Sequence, residues 1–385
     1  MSDQKSNASG KDSPETLEAN ELSVEVQLPQ NGSGITSVPV LPVLPETSSF
    51  DAEAPLRRDQ LRSDVATQPE TSAMLTADRL IDAKNQKRVN QVPEGFWQRL
   101  VYEISLHSLN LGDSAKVRER KKQDAAISKK LVGGARFVAV LTRKGGVGKT
   151  TVTSLLGMAL ASVRDDRVIA IDANPDRGTL SDRVPKQTRA TVRDIIDDAA
   201  SIKGFTDFSK YVSRDDTRLD VIASDTDPLI ADALEEGDYN IVADLCQRFY
   251  SVVLTDCGTG IVHSIMKATL DRADSVVIVS GGSVDEARLA SETLTWLEAN
   301  GYSHLVNNAV VAINTATQAT QLVKLEEIEN HFLSRVRAAV RIPYDEHLAA
   351  GSVIKYDELN KPTMQAARDL ALLVVEGLPT ERPVE

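Results

Sequence analysis

From about Arg136 onward, short and nearly continuous apolar runs alternate with longer stretches of helical periodicity. The runs are residues 137–141, 168–171, 219–222, 252–254, 276–279, 306–313 and 336–342. Each has the length of a strand and lacks the apolar–polar alternation of a strand with one wet face, so both faces should be covered. Strands of this kind separated by helices predict an α/β fold, a doubly wound and mostly parallel sheet. Ligands in such folds bind beyond the carboxyl ends of the strands.

The pattern is different upstream. Residues 1–77 are rich in Ser, Thr, Pro, Asp and Glu and poor in aromatics. Such a segment buries too little apolar area to offset its ordering entropy, so it reads as disordered. The proline-spaced stretch 38–45 favours polyproline II and reads as a stiff linker. Residues 78–131 read as short helices ahead of a domain spanning 132–378, with a flexible tail at 379–385. Within them, Trp97 reads as a packing anchor. The charges at Arg118, Arg120, Lys121, Lys122, Lys129 and Lys130 suit a solvated helix face or, alternatively, a surface for an anionic partner.

Composition narrows the class. A formal charge of −12 over 385 residues argues against a surface that attracts nucleic acid everywhere, so DNA binding needs a local patch. Cys246 and Cys257 form no paired-cysteine motif, which removes disulfide frameworks and cysteine-ligated metals and suits a reducing cytoplasm. No apolar run approaches the roughly 18 residues that span a bilayer.

The chemistry concentrates after the first strand, at Arg143-Lys-Gly-Gly-Val-Gly-Lys-Thr-Thr151. A strand, a glycine loop and an apolar helix in succession make a phosphate site. Glycines let backbone N–H groups close around phosphate oxygens, and the helix N-terminus favours negative charge. Lys149 would meet the β- and γ-phosphates, and the Thr150 hydroxyl would ligate Mg²⁺. Arg143 stands where the usual phosphate-loop pattern has its first glycine.

That variant loop, Lys144, Gly145, Gly146, Val147, Gly148, Lys149, Thr150 and Thr151, resembles the MinD/ParA superfamily of deviant Walker A ATPases. The family tolerates the replaced glycine and carries an extra lysine, matched by Lys144, that reaches a partner's nucleotide across a dimer. The resemblance runs from about residue 136 to 377. It implies a switch I segment at Ile171-Asp-Ala-Asn-Pro-Asp176 and a Walker B and switch II segment at Val253-Leu-Thr-Asp-Cys-Gly-Thr-Gly260. By that resemblance Asp172 and Asp256 serve Mg²⁺, Gly258 and Gly260 let backbone approach the γ-phosphate, and Asn314 and Pro343 flank adenine. ATP and Mg²⁺ are the implied cofactors.

One departure bears on turnover. The family's switch I holds two aspartates two residues apart, the second positioning the attacking water; here the pair is Asp172 and Asn174. An amide still accepts a hydrogen bond, so slow hydrolysis is the expectation, and Asp176 could substitute.

The cell biology is less determined, because relatives with this chemistry serve positioning, partition and secretion. The implied partners are a second copy of the chain on ATP binding and a protein partner recruited through the N-terminal region. The C-terminal helix has an apolar stripe but almost no positive charge, which disfavours direct membrane binding. Nonspecific DNA remains an alternative through Arg335, Arg337 and Arg341, whose alternation equally suits the wet face of an edge strand. The long polar N-terminus and the segment 172–180 narrow the likeness to actinobacterial MinD-like ATPases, some associated with type VII secretion. The contrasting non-enzyme reading is a scaffold in which Asn174 keeps ATP bound.

Overall fold

The structure, a computed structural model, describes residues 114–174, 178–224, 235–260, 264–315 and 323–382. The expectations of disorder over residues 1–77, of the Trp97 anchor, and of a role for Asp176 lie outside the described residues.

Among the described residues, eight strands form one sheet: β1 (Arg136–Leu141), β2 (Val168–Ala173), β3 (Ser213–Arg214), β4 (Asp220–Ile222), β5 (Val252–Cys257), β6 (Ser275–Gly281), β7 (Val310–Asn314) and β8 (Ala338–Ile342). Their spatial order is β3-β4-β2-β5-β1-β6-β7-β8. Every pairing is parallel except the two-residue β3–β4 ladder. Strands β1, β2, β5 and β6 are buried at every position, as continuous apolar runs require, whereas edge strand β8 buries only Val340 and Ile342.

Among the described residues, the seven longest helices are α1 (Ala115–Ile127), α2 (Lys149–Val163), α3 (Glu236–Phe249), α4 (Ser264–Arg272), α5 (Val284–Ala299), α6 (Leu325–Leu333) and α7 (Lys361–Gly377). Helices α2 and α7 share a core with Val138, Val140, Val168, Ala170 and Leu254. On the opposite face, Phe137, Ile169 and Val253 meet α3, and Leu141, Val276 and Ile278 meet α5 and α6. The sheet is therefore doubly wound. The order in which strands are added across the sheet reverses around β1, which lies between β5 and β6, and this switch point puts a crevice at the strands' carboxyl ends.

Two strands begin later than the apolar runs suggest. Residues Ser303–Asn308 are helical, and the strand starts only at Val310. The polar Asn307 and Asn308 close the turn, the Asn308 amide donating to the Gly377 carbonyl at 2.6 Å. Likewise the Val336 N–H still donates to Phe332 O at 2.9 Å, so the helical turn after α6 delays β8 to Ala338.

The segment ahead of β1 and the tail behind α7 both belong to this body. The Arg164 guanidinium, 1% exposed, donates to Ile127 O at 2.6 Å and to Lys129 O at 3.2 Å. Gln123 reaches Asp369 of α7 at 2.7 Å, and Arg368 pairs with Asp124. Fully buried Arg136 donates to the carbonyls of Val132, Gly134 and Pro379, while Val132 bridges to Glu381 and Arg382 meets Asp274. Residues 379–382 are thus packed rather than loose. The apolar stripe of α7, including Ala367, Leu370, Ala371 and Val374, is wholly buried against the domain. No helix among the described residues is long and apolar enough to cross a membrane.

Candidate functional site

The loop joining β1 to α2 holds its shape through two glycines in the left-handed region, Gly146 at φ +80° and Gly148 at φ +96°. This conformation curls successive N–H groups toward one side and costs L-residues with a Cβ dearly. Gly148 is also the N-cap of α2 and supplies no side-chain acceptor, so the first-turn N–H groups are left to an anion. A Cβ at Gly148 would lie 2.2 Å from Asn314 Nδ2. The loop forms one wall of a cleft of about 340 Å³. Asn174, Thr179, Arg183, Thr259, Asn314, Pro343 and Asp345 also line the cleft.

At the base of the cleft the charges engage one another. Lys149 Nζ lies 2.6 Å from Asp256 Oδ1, the side chains 6% and 1% exposed. The Thr150 hydroxyl donates to Asp256 Oδ2 at 2.7 Å, and the Thr153 hydroxyl donates to Oδ1 at 3.1 Å. A buried carboxylate is tolerated only with such partners. The β1–β5 register pairs Val140 with Asp256, which delivers the carboxylate beside the loop.

Asp172 sits opposite Asp256 in the β2–β5 register and is fully buried. Its Oδ2 accepts the Leu180 N–H at 2.9 Å and its Oδ1 the Asn174 N–H at 3.3 Å, so it ties down both ends of the segment after β2. Gly178 passes so close that a Cβ there would lie 2.3 Å from Asp172 Oδ2. Burial, and then the neighbouring Asp256 charge, push the Asp172 carboxyl up to about 7. Two carboxyls side by side with one lysine form a site where a dication would be favoured. Mg²⁺ needs few protein ligands when phosphates and water complete its shell.

Lys144 Nζ lies 3.2 Å from Glu286 Oε1. Glu286 also closes the capping box of α5 with Ser283. Burial works against its charge, but hydrogen bonds from Ser283 and the Lys144 ammonium prevail and lower its carboxyl. Lys144 is 43% exposed, so the pair is only partly withdrawn from water.

The structure brings together the loop residues from Lys144 to Thr151, Asn174, Asn314 and Pro343 around one cleft. It refines three expectations. The Asn314 amide donates one hydrogen to Val147 O at 2.8 Å, so part of its capacity is spent on bracing the loop rather than on a base. Gly258 lines a separate void of about 10 Å³ with Ala173 and Met266, and Thr259 is the residue of that turn that faces the cleft. Arg335, Arg337 and Arg341 do not form a free basic patch. Arg335 binds Glu298 and Ser291, Arg337 binds Asn308 and Leu373 O, and Arg341 binds Glu329.

Thr153, Glu286, Arg183 and Thr259 escaped the sequence reading. Thr153 was within reach, since it follows Lys149 by one helical turn and shares its face. Glu286 and Arg183 join the site only through the fold, with no local signal.

Comparison with known proteins agrees with this geometry. The CobQ/CobB/MinD/ParA nucleotide binding domain matches residues 138–352. The ESX-1 secretion-associated protein EspI of Mycobacterium tuberculosis is 34% identical over 277 residues, 71% of this chain but 41% of that protein, so the chain spans about two fifths of its length. A putative septum site-determining protein MinD of Guillardia theta is 28% identical over 172 residues, 44% of this chain and 62% of its own. Among solved structures, a ParA family ATPase from Chlorobium tepidum superposes with a TM-score of 0.52 at 21% identity, covering 62% of this chain and 98% of that one. Such a likeness establishes the fold.

Proposed function

Because the chain belongs to the CobQ/CobB/MinD/ParA nucleotide-binding-domain family, we propose that it binds Mg-ATP in this cleft and uses the nucleotide to control self-association and partner binding. The observation that carries the reading is the buried Lys149–Asp256–Thr150 constellation beneath a glycine loop at a helix N-terminus. Lys149 and the loop N–H groups hold the β- and γ-phosphates. Thr150 and Asp256 hold Mg²⁺, Asp256 through water, with Asp172 beside it. Bound there, the ion neutralises charge that develops on the phosphates. Asn174 faces the cleft and orients the attacking water by accepting its hydrogen bond, without a carboxylate's ability to take the proton, so turnover is slow.

Lys144 is the group for a second copy: it is partly exposed and held only by a side chain it can release. A role in secretion is favoured over partition. The relative that this chain matches over most of its length is named as secretion-associated, and the arginines that would serve DNA are paired within the chain. The scaffold reading keeps one supporting observation, the amide at position 174. Phosphate release at saturating Mg-ATP, followed alongside mass by light scattering, tests the proposal. Slow multiple turnover with an ATP-dependent dimer is expected; tight binding with no turnover selects the scaffold, and absence of ATP binding removes both.

A further inference from the structure

Two fully buried guanidinium groups, those of Arg136 and Arg164, have a partner for every nitrogen. Arg136 spends its donors on three carbonyls, and Arg164 on two carbonyls and the Asp166 carboxylate. Arg183 departs from that pattern. It closes the short 3₁₀ turn Leu180–Arg183, just after the segment tied down by Asp172, and lines the same cleft as the glycine loop. Its Nε and Nη1 are shielded from solvent and have no hydrogen-bond partner among the described residues.

A guanidinium has five donors and no acceptor, and a buried donor left unmade costs free energy that a ligand can recover. The backbone around Arg183 is set independently of its head group: the Arg183 carbonyl accepts the Ile354 N–H at 2.9 Å. The head group lies beside Gly351, where a Cβ would be 3.7 Å from Nη1. Asp182 and the cleft-base Asp256 are the acids whose charge reaches it, against a larger opposing effect of burial. Because Arg183 lines the cleft, a ligand bound there can supply an acceptor for these N–H groups.

Resting on the nucleotide reading above, we infer that Arg183 is a ligand of the nucleotide's phosphate chain, supplied by the same subunit from the lining of the cleft. The planar fork suits phosphate oxygens better than an ammonium would, and it is prepaid in position by the turn. Lys149 and the loop N–H groups hold the phosphates, Lys144 is reserved for a partner, and Arg183 adds a guanidinium from the cleft lining. The burial that makes Arg183 costly without an anion makes it effective with one.

The test compares wild type, Arg183→Met and Arg183→Lys by calorimetric titration with Mg-ATP, Mg-ADP and tripolyphosphate, and by melting of each protein without ligand. The expected result is a tenfold or greater rise in Kd for all three ligands in Arg183→Met, with partial recovery in Arg183→Lys. The ligand-free melting temperature of Arg183→Met should be unchanged or higher, because an unpaired buried charge has been removed. Kd values within twofold of wild type would overturn the inference. So would weaker binding accompanied by a lower ligand-free melting temperature that lysine fails to restore, since Arg183 would then merely support the cleft wall. Failure of the wild type to bind any of the three would remove the nucleotide reading as well, an outcome distinct from normal wild-type binding with unaffected variants.

Discussion

Two regions of this molecule bury positive charge, and they do so in opposite ways. At the seam between residues 127–136 and the segment after α7, Arg136 and Arg164 satisfy backbone carbonyls from Val132, Gly134, Pro379, Ile127 and Lys129. In the cleft, buried Lys149 faces the Asp256 carboxylate, half-exposed Lys144 faces Glu286, and partly buried Arg183 keeps donors unmatched among the described residues. A carbonyl in a packed turn cannot move aside, so the seam's bonds are permanent and lend rigidity. A carboxylate can give up a lysine to a phosphate and take a metal ion in exchange. The same physical problem, an expensive buried cation, has a structural solution in one place and an exchangeable one in the other.

The comparison breaks most visibly at Lys149. Lys149→Ala is expected to lower Mg-ATP affinity by a thousandfold or more, about 4 kcal/mol, because the main countercharge to the phosphates is lost. It also strands Asp256, so the ligand-free protein should lose about 3–5 kcal/mol of stability. Calorimetry and denaturant unfolding read the two effects separately, and near-normal binding would dissolve the phosphate-loop assignment.

Arg136→Ala probes the other side. Abandoning three carbonyls at about 1–3 kcal/mol for each buried group left unpaired, with partial relief by water, should cost about 3 kcal/mol of stability. Nucleotide affinity should stay within twofold, since the seam lies behind the sheet's opposite end. If affinity fell in step with melting temperature, the separation into rigid and exchangeable charge would not hold.

Smaller effects sharpen the picture within the cleft. Asn174→Asp should raise single-turnover hydrolysis about tenfold, equivalent to about 1.4 kcal/mol, with little change in ATP affinity. A neutral or harmful outcome would point to Asp176 as the water-positioning group. Glu286→Gln loosens Lys144 and should raise the dimer fraction in Mg-ATP a few-fold, the scale of a partly exposed pair worth up to about 1 kcal/mol. Sedimentation velocity checks it, and an unchanged dimer fraction would mean that Glu286 does not restrain Lys144.

Much of the site was legible because its parts are local. The glycine loop must follow a strand and open a helix, so position, spacing and residue type carry the same message, and Gly146 and Gly148 adopt the backbone that only glycine takes easily. Asp256 was legible as a charge ending an apolar strand. The strand boundaries near residues 306 and 336 were not, because a buried helical turn and a buried strand share an apolar composition, and only tertiary hydrogen bonds such as Asn308 to Gly377 decide between them. Asn314 was found as a cleft residue but for an incomplete reason, since its bond to Val147 O crosses 167 positions of sequence.

The amino-acid order by itself determined the doubly wound sheet and the phosphate loop, since both follow from short-range periodicity and from backbone conformations open to few residue types. Tertiary structure alone decided which charges meet. Tertiary packing joined residues 114–135 and 379–382 to the sheet domain, opposed Asp172 to Asp256 on neighbouring strands, gave Lys144 to Glu286, and left two Arg183 nitrogens without a partner among the described residues. Ion pairing depends on distance and burial after folding, and neither is encoded by neighbours along the chain.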